Sequence, residues 1–265
     1  MKTFFQRTLA VLSLVALPAL AHDTWIMPVD FLLAPGQPVA ARMSAGEGLK
    51  PDAPPRRERL VSVDLVDAVG RKTNTTWSAR DKHVDLAFPA PAAGVSCMAV
   101  TTMDREIEIK PDVVDAYLAE IHPGPQVLQA WATQRAKGQV WKERYAKDAK
   151  TYLRTGDGAA GWPQLQALGQ TLEIVPAQDP TRLKKGGTLA VELRHNGRPL
   201  PDVALRLYAG DAAERIARTD AQGKASFDLL RPGPHLIATT MLNLPAAPGG
   251  MWTSRFATMG FGVLD

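Results

Sequence analysis

The sequence predicts a mainly β protein with a helical insert, in which two β-sandwich regions flank the helices and the C-terminal sandwich is immunoglobulin-like. Short apolar segments alternate with polar residues at both ends of the chain, as Val61, Val63 and Leu65 do, with Pro and Gly between them. In residues 111–156 the apolar spacing changes to three and four, which is typical of helices. These two patterns place helices between two sets of short strands.

The chain begins with features of an exported protein. Lys2 and Arg7 precede a short apolar stretch, and Ala19 and Ala21 form the small-residue pattern that signal peptidase recognises. We therefore expect residues 1–21 to be a signal peptide, removed after Ala21. The apolar stretch is too short to span a bilayer.

The mature chain of 244 residues would begin at His22 and carry 29 Lys and Arg against 27 Asp and Glu. This small charge excess argues against nucleic-acid binding. After residue 21, no apolar run of the sequence is long enough for a membrane anchor. The single cysteine, Cys97, cannot form an internal disulfide. We expect a periplasmic protein, with Cys97 packed in the core.

The changes in pattern divide the mature chain into four parts. They are an N-terminal β-sandwich region at 22–110, a helical insert at 111–156, a Gly-rich linker at 157–170 and a C-terminal immunoglobulin-like sandwich at 171–265. Trp141, Tyr145, Ala149 and Tyr152 predict the third of three helices in the insert. The Pro- and Arg-containing stretch at 49–58 predicts an exposed loop.

Six segments carry a resemblance that covers nearly the whole mature chain. They are His22-Asp23-Thr24-Trp25-Ile26-Met27-Pro28, Trp141 through Lys150, Leu172 through Pro176 with Asp179-Pro180, Gly197-Arg198-Pro199-Leu200, Thr219-Asp220-Ala221-x-Gly223 and Trp252 through Phe256. In this order they resemble a family of secreted bacterial proteins with a domain of unknown function. Its members are often labelled as the periplasmic component of nickel or cobalt uptake systems.

The resemblance implies a carboxypeptidase-regulatory-like sandwich at the C-terminus and a role in handling transition metals. The chain departs from the family after the last apolar strand. Family members often carry His or Arg there, where this chain has Thr239-Thr240-Met241-Leu242-Asn243. A metal site on that strand is therefore not transferred.

An N-terminal His22 would offer its free amine and its imidazole to one metal, and Cu(II) and Ni(II) favour such nitrogen donors. Additional ligands are expected from Asp81 and His83, two residues apart on one face of an extended segment, and from His235 at a strand start. An Asp-x-His pair joined to an N-terminal histidine resembles the copper site of small periplasmic copper-resistance sandwiches. The remaining histidines, His122 and His195, lie in turn sequences.

These observations leave three functions open. The leading hypothesis is a non-enzymatic periplasmic binding protein that captures nickel, cobalt or copper and passes it to a membrane transporter or a chaperone. A structural or adhesive envelope module without metal is the second. A copper-dependent oxidative enzyme with a histidine brace, of the polysaccharide monooxygenase kind, is the third, but the chain lacks that family's second-histidine motif. We find no sequence motif for another catalytic site.

Overall fold

The computed structural model describes residues 22–162 and 164–265, so the expected signal peptide at 1–21 lies outside the described residues. The described chain forms nineteen strands and two α-helices. The strands are β1 (Asp23–Pro28), β2 (Leu32–Leu33), β3 (Val39–Glu47), β4 (Lys50–Ala53), β5 (Leu60–Val66), β6 (Lys72–Thr73), β7 (Thr76–Ala79), β8 (Val84–Phe88), β9 (Gly94–Thr102), β10 (Arg105–Ile109), β11 (Trp141–Thr155), β12 (Leu172–Pro176), β13 (Thr188–His195), β14 (Arg198–Pro199), β15 (Ala204–Ala209), β16 (Arg215–Arg218), β17 (Lys224–Asp228), β18 (Gly233–Asn243) and β19 (Trp252–Val263). The helices are α1 (Pro111–Ile121) and α2 (Pro125–Ala136). The predicted mainly β fold is confirmed.

A ten-stranded sheet runs through both predicted sandwich regions. Its main order is β16-β15-β18-β19-β11-β9-β5-β6, with β2 and β10 also paired to β11. The parallel pairing of β11 with β19 joins the N-terminal strands to the C-terminal ones. This sheet is therefore the common wall against which the two smaller sheets pack.

The predicted third helix is wrong, because its residues form the 15-residue strand β11. Trp141, Tyr145 and Ala149 are spaced by four, and such residues share a face in a strand as well as in a helix. Tyr152 lies on the opposite face of β11, in a different core. The strand is buried continuously from Tyr145 onward. The simple alternation that marks a half-exposed strand is therefore missing from its sequence.

A five-stranded sheet completes the N-terminal sandwich. Its order is β1-β3-β8-β7, with β4 paired to β3. Its core joins Ile26, Met43 and Leu86 to Met98 and Leu153 of the large sheet. Part of the predicted loop at 49–58 belongs to this sheet, since strand β4 lies within it.

A four-stranded sheet completes the C-terminal sandwich. It contains β12, β13, β14 and β17, and its core joins Ile174 and Val191 to Leu205, Ile237 and Met259 of the large sheet. Cys97 is fully buried in this core as a free thiol.

The two helices form a hairpin that packs on the first residues of β11 and β19, where Trp141 and Trp252 lie. Both begin with proline, which suits a first helical turn because its missing N–H would have no partner there. Trp141 stacks on Trp252 with ring centroids 4.1 Å apart, and Tyr117 of α1 and Trp131 of α2 meet the Trp141 ring edge-on. Within the described part of the chain, no helix is long and apolar enough to cross a membrane.

Candidate metal site at the start of the first strand

Strand β1 is held along both edges. One edge pairs with β3, so that Asp23 lies opposite Gly46. On the other edge, alternate carbonyls accept hydrogen bonds from side chains of the large sheet. The His22 carbonyl accepts from Lys147 Nζ, the Thr24 carbonyl from Thr258 Oγ1 and the Ile26 carbonyl from Thr151 Oγ1. The first residues of the expected mature chain are therefore fixed by the rest of the fold.

Asp23 is anchored by a buried ion pair. Its carboxylate accepts two hydrogen bonds from Arg206 of β15, at 3.1 and 3.0 Å. Arg206 also donates to Glu120 of α1 at 3.1 Å and to the Tyr208 hydroxyl at 3.0 Å. Burial raises the pKa of Asp23, and the Arg206 charge opposes that rise. With its oxygens used in this way, Asp23 is not available as a ligand on the solvent side.

The same cluster perturbs two further groups. Burial raises the pKa of Glu120 to about 7, against the attraction of Arg206. Burial also lowers the pKa of Lys147 to about 8, although Asp23 favours its charged form. The Lys147 ammonium lies 5.6 and 5.0 Å from the ring centroids of Tyr145 and Phe256. Lys147 thus holds the His22 carbonyl from within an aromatic pocket.

The His22 imidazole lies beside a carboxylate that the sequence did not single out. Its Nδ1 atom is 3.2 Å from Oδ2 of Asp52, in strand β4, which pairs with β3 as β1 does. The two atoms are close, but Nδ1 makes no hydrogen bond of acceptable geometry. Adjacent ligands bound to one metal at 2.0–2.1 Å and at right angles lie about 2.9 Å apart. The spacing of these two donors therefore suits a shared metal ion.

The other predicted ligands do not join His22 and Asp52 in one group. Asp81 is exposed, and His83 contacts Asp85 at 3.1 Å rather than Asp81, so the expected Asp81–His83 pair is not formed. His235 is buried, stacked on Phe261, and its Nδ1 atom is 3.0 Å from the Gly233 carbonyl oxygen. Within residues 22–162 and 164–265, no group of three or more His, Cys, Asp or Glu side chains could hold a metal ion.

Asp52 and the buried cations escaped the sequence analysis for identifiable reasons. Asp52 lies in a stretch whose prolines predicted a loop, and its meeting with His22 depends on strand pairing across β3. Lys147 belongs to the segment that was predicted as a helix. Only the alternation of β15, in which Arg206 lies between Leu205 and Leu207, marks a charge within an apolar strand.

A family model for a domain of unknown function, DUF4198, matches residues 19–242. The chain belongs to this family. The match confirms that the chain belongs to a family with a domain of unknown function, as the resemblance of the six segments predicted. A role in nickel or cobalt uptake remains a prediction. No curated protein matches the chain.

Several solved structures are distantly similar to this chain. One is Escherichia coli alpha-2-macroglobulin activated by porcine elastase, with 10% identity, a TM-score of 0.24, and coverage of 92% of this chain and 20% of that one. Another is a DUF4785 family protein from Legionella pneumophila, with 10% identity, a TM-score of 0.27, and coverage of 80% of this chain and 50% of that one. The fibronectin(III)-like modules of Clostridium thermocellum CbhA are a third, with 7% identity, a TM-score of 0.22, and coverage of 90% of this chain and 94% of that one. The chain thus covers about a fifth of the length of the first of these structures and about half of the length of the second.

Proposed function

We propose that the mature protein captures a divalent transition metal, nickel, cobalt or copper, in the periplasm through its N-terminal histidine. The ligands in this proposal are the His22 amine, the His22 Nδ1 atom and one carboxylate oxygen of Asp52. The single observation that carries it is the 3.2 Å approach of Nδ1 to Asp52 Oδ2 without a hydrogen bond between them. It uses neither Asp81 nor His83 nor His235.

The position of the pair supports capture and release rather than permanent storage. The His22 side chain is 26% exposed and that of Asp52 57% exposed. The Nδ1 atom of His22 is itself buried, so a membrane transporter or a chaperone would reach a metal held there from the side of the exposed Asp52 carboxylate. Meanwhile Lys147 and Arg206 restrain residues 22 and 23, so binding would not have to order a free chain end.

Calorimetric titration of the exported, processed protein with Ni(II), Co(II), Cu(II) and Zn(II) tests the proposal. We expect one-to-one binding, weakened about 100-fold or more in His22→Ala, which keeps the amine, and about tenfold in Asp52→Asn. His83→Ala is a matched control, because His83 is also 26% exposed and also lies beside a carboxylate, yet is internal. Its affinity should equal that of the unchanged protein.

Equal affinity in His22→Ala would contradict the proposed anchor. No binding of any metal would favour an envelope module instead. Cleavage of a polysaccharide in the presence of copper and a reductant, lost in His22→Ala, would replace metal capture by oxidative catalysis at the same residue.

A further inference from the structure

A polar cleft, separate from the candidate metal site, lies between the helical hairpin and the C-terminal sandwich. It has a volume of about 370 Å³ and is lined by the start of α2, the segment before β15 and the end of β18. This volume falls within the range of small-molecule sites. Neither of the proposed metal ligands, His22 and Asp52, lines it.

The N-terminus of α2 opens into this cleft without a cap. Gly124 at the N-cap offers no side chain to the first amides, and the first turn carries no acidic residue. Pro125 has no N–H and the Val127 amide donates to the Gly124 carbonyl at 3.1 Å, so Gln126 supplies the first-turn amide for a ligand. Pro125, Gln126 and Val127 of that turn line the cleft. Since α2 has 12 residues, its aligned peptide dipoles place partial positive charge at this end.

Cationic and donor side chains surround the same space. Arg218, His122, His195 and Asn243 all line it. Arg218 donates to the His122 carbonyl at 2.8 Å and so ties the turn between the helices to β16. Asp202 also lines the cleft and pairs with Arg218 at 3.2 Å, whereas Glu214 lies 3.2 Å from His122 Nε2. An anion would therefore use the Arg218 N–H groups that Asp202 and the His122 carbonyl leave over.

One buried hydroxyl in the cleft wall has no partner. Thr240 is 6% exposed, and within the described chain nothing bonds its Oγ1 atom. The preceding Thr239 donates to the Ala204 carbonyl at 2.8 Å. Met241 packs in the C-terminal core, so the alternation of β18 places Thr240 on the opposite face, where Leu242 packs against the core of the helices. Thr240 and Met241 both line the cleft. A buried hydroxyl without a partner is costly unless a ligand or water completes it.

We propose that this cleft binds a small oxyanion, a carboxylate or a phosphate group, at the N-terminus of α2. The backbone amide of Gln126 and the Arg218 guanidinium meet the charge of the anion, and the Thr240 hydroxyl donates to one of its oxygens. The proposal is independent of the metal site, since neither set of residues contributes to the other.

Calorimetric titration of the whole protein with inorganic phosphate and, separately, with succinate tests this site. Sodium chloride at equal ionic strength is the reference. We expect saturable binding of at least one probe tighter than about 1 mM at low salt. Binding of phosphate alone or of succinate alone identifies the source of the oxyanion, and either supports the site.

Two variants and one control locate the binding. Arg218→Gln should weaken it about tenfold, through loss of a charge-assisted contact, and the near-isosteric Thr240→Val about threefold or more. Arg215→Gln is the control, because Arg215 lies on the same strand, β16, but does not line the cleft. Thermal unfolding of each variant checks that the fold persists. Failure of both probes to bind, or affinity unchanged in both Arg218→Gln and Thr240→Val, would overturn the proposal.

Discussion

Two lysines of β11, three residues apart, have opposite roles because they lie on opposite faces of the large sheet. Lys150 forms a buried ion pair with Glu173 at 2.7 Å on the face that packs against the four-stranded sheet. Lys147 lies on the other face and holds the His22 carbonyl. The first closes the C-terminal core, whereas the second belongs to the charge cluster that fixes the expected mature N-terminus. Buried charge in this fold therefore serves packing on one face and positioning on the other.

The largest effect should come from the anchor of Asp23. Arg206→Met leaves the Asp23 carboxylate buried without its guanidinium, so the free energy of unfolding should fall by about 3–5 kcal/mol. The metal affinity should fall with it, because β1 loses its hold. Chemical denaturation measures the first effect and calorimetry the second. Arg198→Met, at an exposed position of β14, should change both very little.

The opposite face should give a stability effect alone. Glu173 accepts from Lys150 Nζ and from the backbone amides of Leu168 and Gly169 at 2.6 and 3.0 Å. Glu173→Gln should therefore lower the free energy of unfolding by about 1–3 kcal/mol. The metal affinity should stay within twofold. If it falls as far as in Arg206→Met, the division of roles between the two faces is wrong.

A pH series separates the cluster near Asp23 from other charges. The folded pKa of Glu120, about 7, is above its unfolded value of 4.5, so the folded protein holds the extra proton between these pH values. Stability from this group is present below the unfolded pKa and is lost as the pH rises through the window. Relative to Glu120→Gln, the unchanged protein should lose about 1–3 kcal/mol between pH 4.5 and 7, allowing for partial exposure.

The exposed Glu108 on β10 supplies the control. Denaturation curves of Glu108→Gln should run parallel to those of the unchanged protein across the same pH range. A flat difference for Glu120→Gln as well would show that the Glu120 carboxyl is not desolvated beside Arg206.

The smallest effect concerns the C-terminal core. Burial raises the pKa of the Cys97 thiol to about 12, so the reactive thiolate is suppressed. A disulfide exchange reagent at pH 8 should leave the folded protein unlabelled and modify Cys97 fully in denaturant. Rapid labelling in native buffer would show that this core opens far more easily than the anchored β1 region.

The sequence was sufficient for the parts of the fold that repeat a local pattern. The alternation of Val61, Val63 and Leu65 predicted a strand, and β5 contains all three residues. The apolar spacing of three and four in residues 111–156 predicted helices, and α1 and α2 both lie within this range. For β11 the local pattern was ambiguous, because a strand buried on both faces does not alternate. Only its pairing with strands from both ends of the chain distinguishes it from a helix.

The candidate site was predicted only at its centre. His22 followed from the expected cleavage, which is a property of local sequence. Asp52 did not, because the approach of β4 to the start of β1 is set by the pairing of both with β3. The partners proposed in its place, Asp81 and His83, were chosen by their spacing along the chain, and spacing does not specify which strands meet.

The proposed function rests above all on the His22 amine, which exists only when nothing precedes His22. The most direct test compares metal titrations of the processed protein with those of the same protein carrying one additional glycine before His22. The imidazole, Asp52 and the buried anchors remain in both. We predict that the extended protein binds about 100-fold more weakly or not at all. Equal affinity in the two proteins would contradict the chelate and leave His22 as an ordinary surface histidine.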